Sequence, residues 1–186
     1  MHRFSRTIFS FIITLSILNG AMLVKRAQAA SAKEIDIKVD AALEKFTKEI
    51  GGAQKLLKEA KGVLVFPSVI KAGFGIGGEY GEGALRIGGK TVDYYSTVAA
   101  SIGFQLGAQS KSVILIFLDK DELKKFRNSS GWEIGVDGSV ALVTLGAGGS
   151  IDTTNIKAPI VGFVFSNKGL MYNLTLEGSK ITKLSR

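Results

Sequence analysis

The stretch that most constrains this chain is Gly73–Gly83, Gly-Phe-Gly-Ile-Gly-Gly-Glu-Tyr-Gly-Glu-Gly. Glycine costs about 1 kcal/mol in a helix interior, so six glycines in eleven positions exclude a helix. Phe74, Ile76 and Tyr80 lie at even spacing, which reads as glycine-notched strands. The same residues contain Gly73-x-Gly75-x-x-Gly78, the formal fingerprint of a dinucleotide site. That fingerprint needs a strand before it and a helix after it, with the helix N-terminus facing the pyrophosphate. Gly81, Gly83, Gly88 and Gly89 interrupt any such helix, and no alternating βαβ pattern surrounds the match. The stretch is therefore read as a strand–turn–strand element whose glycines Gly73, Gly75, Gly77, Gly78, Gly81 and Gly83 let strands bend and backbones approach. No cofactor is expected.

The remaining glycines are scattered among β-branched and aromatic residues, 23 against only 2 prolines in 186 residues, which favours β structure over disorder. Helical signals come first. Ser31 and Glu34 have capping-box spacing, and Ile35, Val39, Ala42, Phe46 and Ile50 form one apolar stripe. Whether that stripe faces a core or a membrane is open at this level. Gly51-Gly52 ends the helix, and a short second one carries Leu56, Leu57 and Ala60 inward with Lys55 and Lys58 outward. Val63–Phe66 reads as a buried strand stopped at Pro67, Gly88-Gly89 as a hairpin turn, and Ser112–Leu118 as the central strand. Asp119 and Glu122 start a short helix over Lys120–Arg127. Strands are further expected in 91–106, in Trp132–Leu145 around Asp137-Gly138, and over Ile160–Phe165, Leu170–Leu176 and Lys180–Leu184. The fold class is α+β, with N-terminal helices on a glycine-rich, mainly antiparallel sheet that forms a closed or half-closed barrel.

Met1–Arg6 is basic, Ile8–Leu18 is apolar, and Ala27-Gln28-Ala29 has the small-x-small pattern of a leader cleavage site, the layout of a signal peptide over residues 1–29. The competing reading is a retained anchor, for which the 17 uncharged residues Ile8–Val24 stand at the short limit. Residues 30–186 then form a single domain, exported, and periplasmic or envelope-associated if the source is bacterial. The net charge of +8 shrinks accordingly: without Arg3, Arg6, Lys25 and Arg26, 20 basic residues face 16 acidic ones, a balance of +4. That suits an anionic surface and falls short of a nucleic-acid footprint.

Catalytic chemistry finds few footholds. His2 is the sole histidine and there is no cysteine, so His-assisted serine or cysteine catalysis is excluded for residues 30–186, and no metal site is expected. Glu79 and Glu82 could act as paired carboxylates or bind calcium, but the favoured reading is the solvated face of a hairpin. Lys38, Lys45, Lys48, Lys55 and Lys58 on the two helices either solvate an outer face or meet anionic headgroups. Trp132 and Tyr94-Tyr95 are read as core aromatics or as interfacial anchors.

Ala60-Lys-Gly-Val-Leu-Val-Phe-Pro67 followed by Lys71-Ala-Gly-Phe-Gly-Ile-Gly-Gly-Glu-Tyr-Gly-Glu-Gly83 resembles the signature of the SYLF domain, also called the Ysc84-type lipid- and actin-binding domain. Ser129-Ser-Gly-Trp-Glu-Ile-Gly-Val-Asp137 with the 146–150 glycine cluster resembles its second block, and the similarity runs from about Ala41 to Leu176. The resemblance implies a phosphoinositide- and membrane-binding module, coupled in some fungal proteins to actin. This chain is similar to exported bacterial relatives, which argues against actin and leaves a protein partner unknown. The expectation is an exported, non-enzymatic protein that binds anionic or phosphoinositide-like headgroups through Lys38, Lys45, Lys48, Lys55 and Lys58. The alternative is a structural or protein-interaction module of the cell envelope.

Overall fold

A computed structural model describes residues 30–103, 109–143, 156–166, 169–170 and 176–186. Helix α1, Ala32–Glu49, begins where Ser31 takes the N-cap and its hydroxyl oxygen accepts the Glu34 N–H at 3.2 Å. The reciprocal half of the box is not made, because the Glu34 carboxylate turns outward to Lys38 at 2.6 Å. Ile35, Val39, Phe46 and Ile50 are buried with Ala42 packed beside them, so the apolar stripe faces the core and is not free to enter a membrane. Gly52, at φ 84°, turns the chain into α2, Ala53–Glu59, which buries Ala53 and Leu56.

The first strand departs most from the sequence reading. β1 runs unbroken over Gly62–Ile87, 26 residues, through both Pro67 and the glycine motif. Pro67 does not stop it; the ladder to β3, Gln109–Phe117, shifts register between Phe66 and Val69, and the Ser112 hydroxyl donates to the Pro67 carbonyl at 2.6 Å. A bulge tolerates the missing proline N–H that a regular ladder would not. Nor is Gly73–Gly83 a strand–turn–strand unit. Residues 62–71 pair with β3 and residues 75–87 with β2, Lys90–Gly103, so one strand has two arms with different neighbours. The arms approach backbone to backbone. A Cβ on Gly81 would stand 2.8 Å from the Ser68 carbonyl oxygen, and one on Gly83 would collide with the Val65 carbonyl. The tight turn between β1 and β2 lies instead at Gly88-Gly89, both at positive φ (58° and 79°), as a two-residue hairpin requires.

The described strands form one sheet in the order β4-β8-β2-β1-β3-β6-β5, with β7 beside β6. β4 is Trp132–Glu133, β5 Ala141–Leu142, β6 Ile160–Ser166, β7 Gly169–Leu170 and β8 Lys180–Leu184. Only β5 and β6 run parallel among these pairs, and the sheet curves into a half-barrel rather than a closed one. Side chains alternate across a strand, and here both faces are covered. Val63, Val65, Ala84, Ile114, Ile116 and Phe163 meet α1 and α2 on one side. Leu64, Phe66, Leu85, Tyr95, Leu115 and Phe117 meet helix α3, Lys120–Asn128, and Trp132 on the other. Phe46 seats α1 with ring centroids 4.7 Å from Phe163 and 5.6 Å from Phe165. Phe126 does the same for α3 against Tyr95, Phe117 and Trp132. Trp132 and Tyr95 are thus core aromatics, while the half-buried Tyr94 donates to Asp36 of α1 at 2.9 Å.

The segment expected as a strand over Trp132–Leu145 is broken by a turn over residues 135–137. Asp137 accepts the Glu133 N–H at 2.7 Å, Gly135 takes φ 90°, and among the described residues the two short strands β4 and β5 remain. Even spacing of Ile134, Val136 and Val140 misled because Val136 is exposed while Ile134 is buried. The expected leader over residues 1–29, the 146–150 glycine cluster and the expected strand beyond Leu170 lie outside the described residues.

These contacts separate glycines that one motif lists alike. Gly83→Ala is expected to lower stability by about 3 kcal/mol or more, since a Cβ would have to displace backbone. Gly78→Ala, whose Cβ would lie 3.7 Å from the nearest atom outside its own segment, should cost less than about 1 kcal/mol. Urea unfolding of the two variants measures both.

Candidate anion-binding site

The five lysines singled out on the helices do not converge. Lys38 pairs with Glu34 at 2.6 Å, Lys48 with Glu44 at 2.5 Å and Lys45 with Glu49 at 3.8 Å, each an i,i+4 partner on α1. Their charge is largely answered by the same helix. Lys38 and Lys45 line a shallow groove with Lys111 beside the Pro67 bulge, whereas Lys58 borders a different hollow with Asp40 and Arg86. Lys55 and Lys58 are exposed and have no salt bridge among the described residues.

Positive charge gathers elsewhere. A cleft of about 620 Å³ opens between the end of α2, the β1–β2 turn, α3 and β8, and its rim carries Lys61, Lys120, Lys124, Arg127 and Lys183. Three of these come from one helix face. Asp119 caps α3 by accepting the N–H groups of Asp121 and Glu122 at 2.8 and 3.0 Å. Leu123 and Phe126 then bury one side, and Lys120, Lys124 and Arg127 recur at i, i+4 and i+7 on the other. Lys61 is fixed by its own backbone, whose N–H donates to the Phe117 carbonyl at 2.7 Å. Lys183 arrives opposite Tyr95 through the β2–β8 ladder.

One carboxylate organises the far side. Asp93, whose side chain is only 9% exposed, takes the Arg127 Nε at 2.9 Å and the Lys183 Nζ at 2.5 Å. It orients two cations while leaving Lys61, Lys120 and Lys124 without an ion pair among the described residues. Burial, and after it the negative Asp93, push the neighbouring Tyr95 phenol well above its ordinary range, so it adds no second anion at neutral pH. Among the described residues no carboxylate lines the cleft itself. Cations clustered in a space of small-molecule size, with lysine amines free to rotate, suit a phosphate or another compact anion.

Glu79 and Glu82 are not a pair and do not form a solvated hairpin face. Three residues apart on one strand, they leave opposite faces. Glu79 meets Lys111 at 2.7 Å, both side chains 13% exposed, while Glu82 meets Arg186 at 2.8 Å. Glycines Gly73, Gly75, Gly77, Gly78, Gly81 and Gly83 all lie within β1, away from the cationic cleft. Among the described residues no helix is long and apolar enough to cross a membrane.

The spacing of Lys120, Lys124 and Arg127 was visible in the sequence, but Lys61 and Lys183 join them only through the sheet, and no local pattern announces that. No curated protein matches the chain. Residues 98–185 match the family model Ysc84, described as Las17-binding protein actin regulator, a span that holds four of the five cleft cations and neither the glycine motif nor helices α1 and α2. The resemblance is thereby supported over a shorter and later span than 41–176, one that contains the second sequence block, from Ser129, and not the first, Ala60–Gly83. Over residues 98–185 this chain is thus similar to the Ysc84 (SYLF) family.

Proposed function

We propose that the protein is an exported, non-enzymatic lipid-binding module that holds anionic, phosphate-bearing headgroups in the cleft of Lys61, Lys120, Lys124, Arg127 and Lys183. The observation that carries this reading is five cations around one open cleft with a single carboxylate, Asp93, holding two of them. A lysine near an anionic membrane contributes about 1 kcal/mol, and that contribution falls within a Debye length of about 10 Å at 0.1 M salt. The three cations without ion pairs therefore supply most of the attraction, and Lys55 and Lys58 lend lesser support. Lys38, Lys45 and Lys48 contribute less, because each already has a glutamate beside it. With Ile35, Val39 and Phe46 in the core, docking is electrostatic and shallow rather than insertion of α1. Similarity over residues 98–185 to a family described by actin regulation fits a binding role in general. An exported location weighs against actin itself as the partner.

A second reading, an interaction module of the cell envelope, draws on the outer end of the β1–β2 ribbon. Ile76, Tyr80 and Val98 are 80, 51 and 51% exposed there, with Tyr80 directly opposite Val98. Contact through that strip needs no lipid and no cleft cation.

Vesicle co-sedimentation separates the two. Phosphatidylcholine vesicles containing anionic phospholipid should retain the protein at 50 mM salt and release it at 500 mM. Replacing Lys61, Lys120 and Lys124 together by glutamine should weaken binding by about 100-fold, three losses of about 1 kcal/mol each. The same change at Lys38, Lys45 and Lys48 should weaken it by less than about threefold if the i,i+4 pairs hold those charges. Equal retention on neutral and anionic vesicles sinks the lipid reading.

A further inference from the structure

Glu82 has an arrangement that the cleft does not explain. Its flanking residues Gly81 and Gly83 are glycines pressed against the other arm of β1, so side chains of that parity are excluded and position 82 projects to the face covered by α1. Its carboxylate is 10% exposed. Oε1 accepts from the Tyr80 hydroxyl at 2.7 Å and from the Arg186 guanidinium at 2.8 Å. Oε2 accepts from the backbone N–H of Ala30 at 3.2 Å across 52 residues of sequence, its one donor among the described residues. Ala30 is the residue that follows the small-x-small pattern Ala27-Gln28-Ala29 and precedes the Ser31 cap of α1.

We propose that Glu82 is the seat of the processed N-terminus, and that removal of the leader between Ala29 and Ala30 converts this hydrogen bond into an ion pair that fastens α1 to β1. In the cleavage, a leader peptidase adds water across the Ala29–Ala30 peptide bond. The hydroxyl goes to the Ala29 carbonyl carbon, giving a carboxylate on the released leader, and the Ala30 nitrogen gains protons to become an ammonium. That nitrogen already lies within hydrogen-bond reach of Oε2, so no rearrangement is required. A charge-assisted bond is shorter and about twice as strong as the neutral one it replaces. Glu82 also answers a cost that cleavage creates. A positive charge ahead of a helix N-terminus opposes the macrodipole, and an adjacent carboxylate offsets it. Before cleavage the nitrogen is an uncharged amide and the seat is only half used.

The test starts from the full chain passed through a secretory host, with the purified product weighed intact. The expected product begins at Ala30; a chain that keeps its leader or begins elsewhere overturns the proposal. The α-amine of the product is then converted to an α-keto amide by pyridoxal phosphate, which leaves lysines intact. Loss of the ammonium should lower Tm by about 2–4 °C in the native protein and leave Glu82→Gln unchanged, while Arg186→Gln should still show the drop. An equal drop in native and Glu82→Gln proteins overturns the seat. Should Glu82→Gln not accumulate, the α-amine of the folded native protein should acylate at least several-fold more slowly than in urea, and equal rates overturn it.

Discussion

Backbone contact between the two arms of β1, at Gly81 and Gly83, is the constraint on which the rest of the structure depends. One arm belongs to the ladder that continues into β3 and β6, the other to the ladder that continues into β2 and β8. Because one strand serves both, any separation of its arms would open the half-barrel along its length. The side chains that pack on either face, from Val65 and Ala84 under α1 to Leu64 and Leu85 near α3, keep their places only while that approach holds. Glycine is demanded there by lack of room for a Cβ, and not by an unusual backbone angle.

Signals that are satisfied within a few residues were legible in the sequence. The Asp119 cap, the α1 stripe and the Gly88-Gly89 turn formed as read, and the Ser31 cap formed with one half of its box, because each is a local hydrogen-bonding or periodicity requirement. Pro67 and the 73–83 glycines were misread for a shared reason. Locally, a proline and a glycine run both punctuate structure, whereas here the first sits in a bulge and the second relieves a tertiary collision. The α1 lysines carried their own correction in the sequence, since Glu34, Glu44 and Glu49 stand at the i,i+4 spacing that pairs them. What no spacing could show is the convergence of Lys61 and Lys183 on α3, which the strand order creates.

Electrostatics therefore divides the surface into two kinds of basic ground. On α1 every lysine named has a carboxylate on its own helix, and the field it projects is short. Around the cleft Asp93 lies beneath Arg127 and Lys183 as a nearly buried anchor, and the remaining amines have no such partner among the described residues. Counting lysines along the chain ranks these regions in the opposite order from counting unanswered charge. Solvent-exposed i,i+4 pairs are individually weak, about 0.3–0.5 kcal/mol, yet they suffice to mute a patch whose attraction is itself only about 1 kcal/mol per residue.

The β2–β8 ladder sets a timetable for assembly. The β1–β2 hairpin closes over a two-residue turn and can form as soon as both strands exist, but Tyr94 must wait for Leu184, and Trp132 for Ile181. Loops of that length close slowly relative to hairpins. A chain still being made thus leaves the outer flank of β2 unpaired over Tyr94–Val98 until residues 180–184 arrive to cover it.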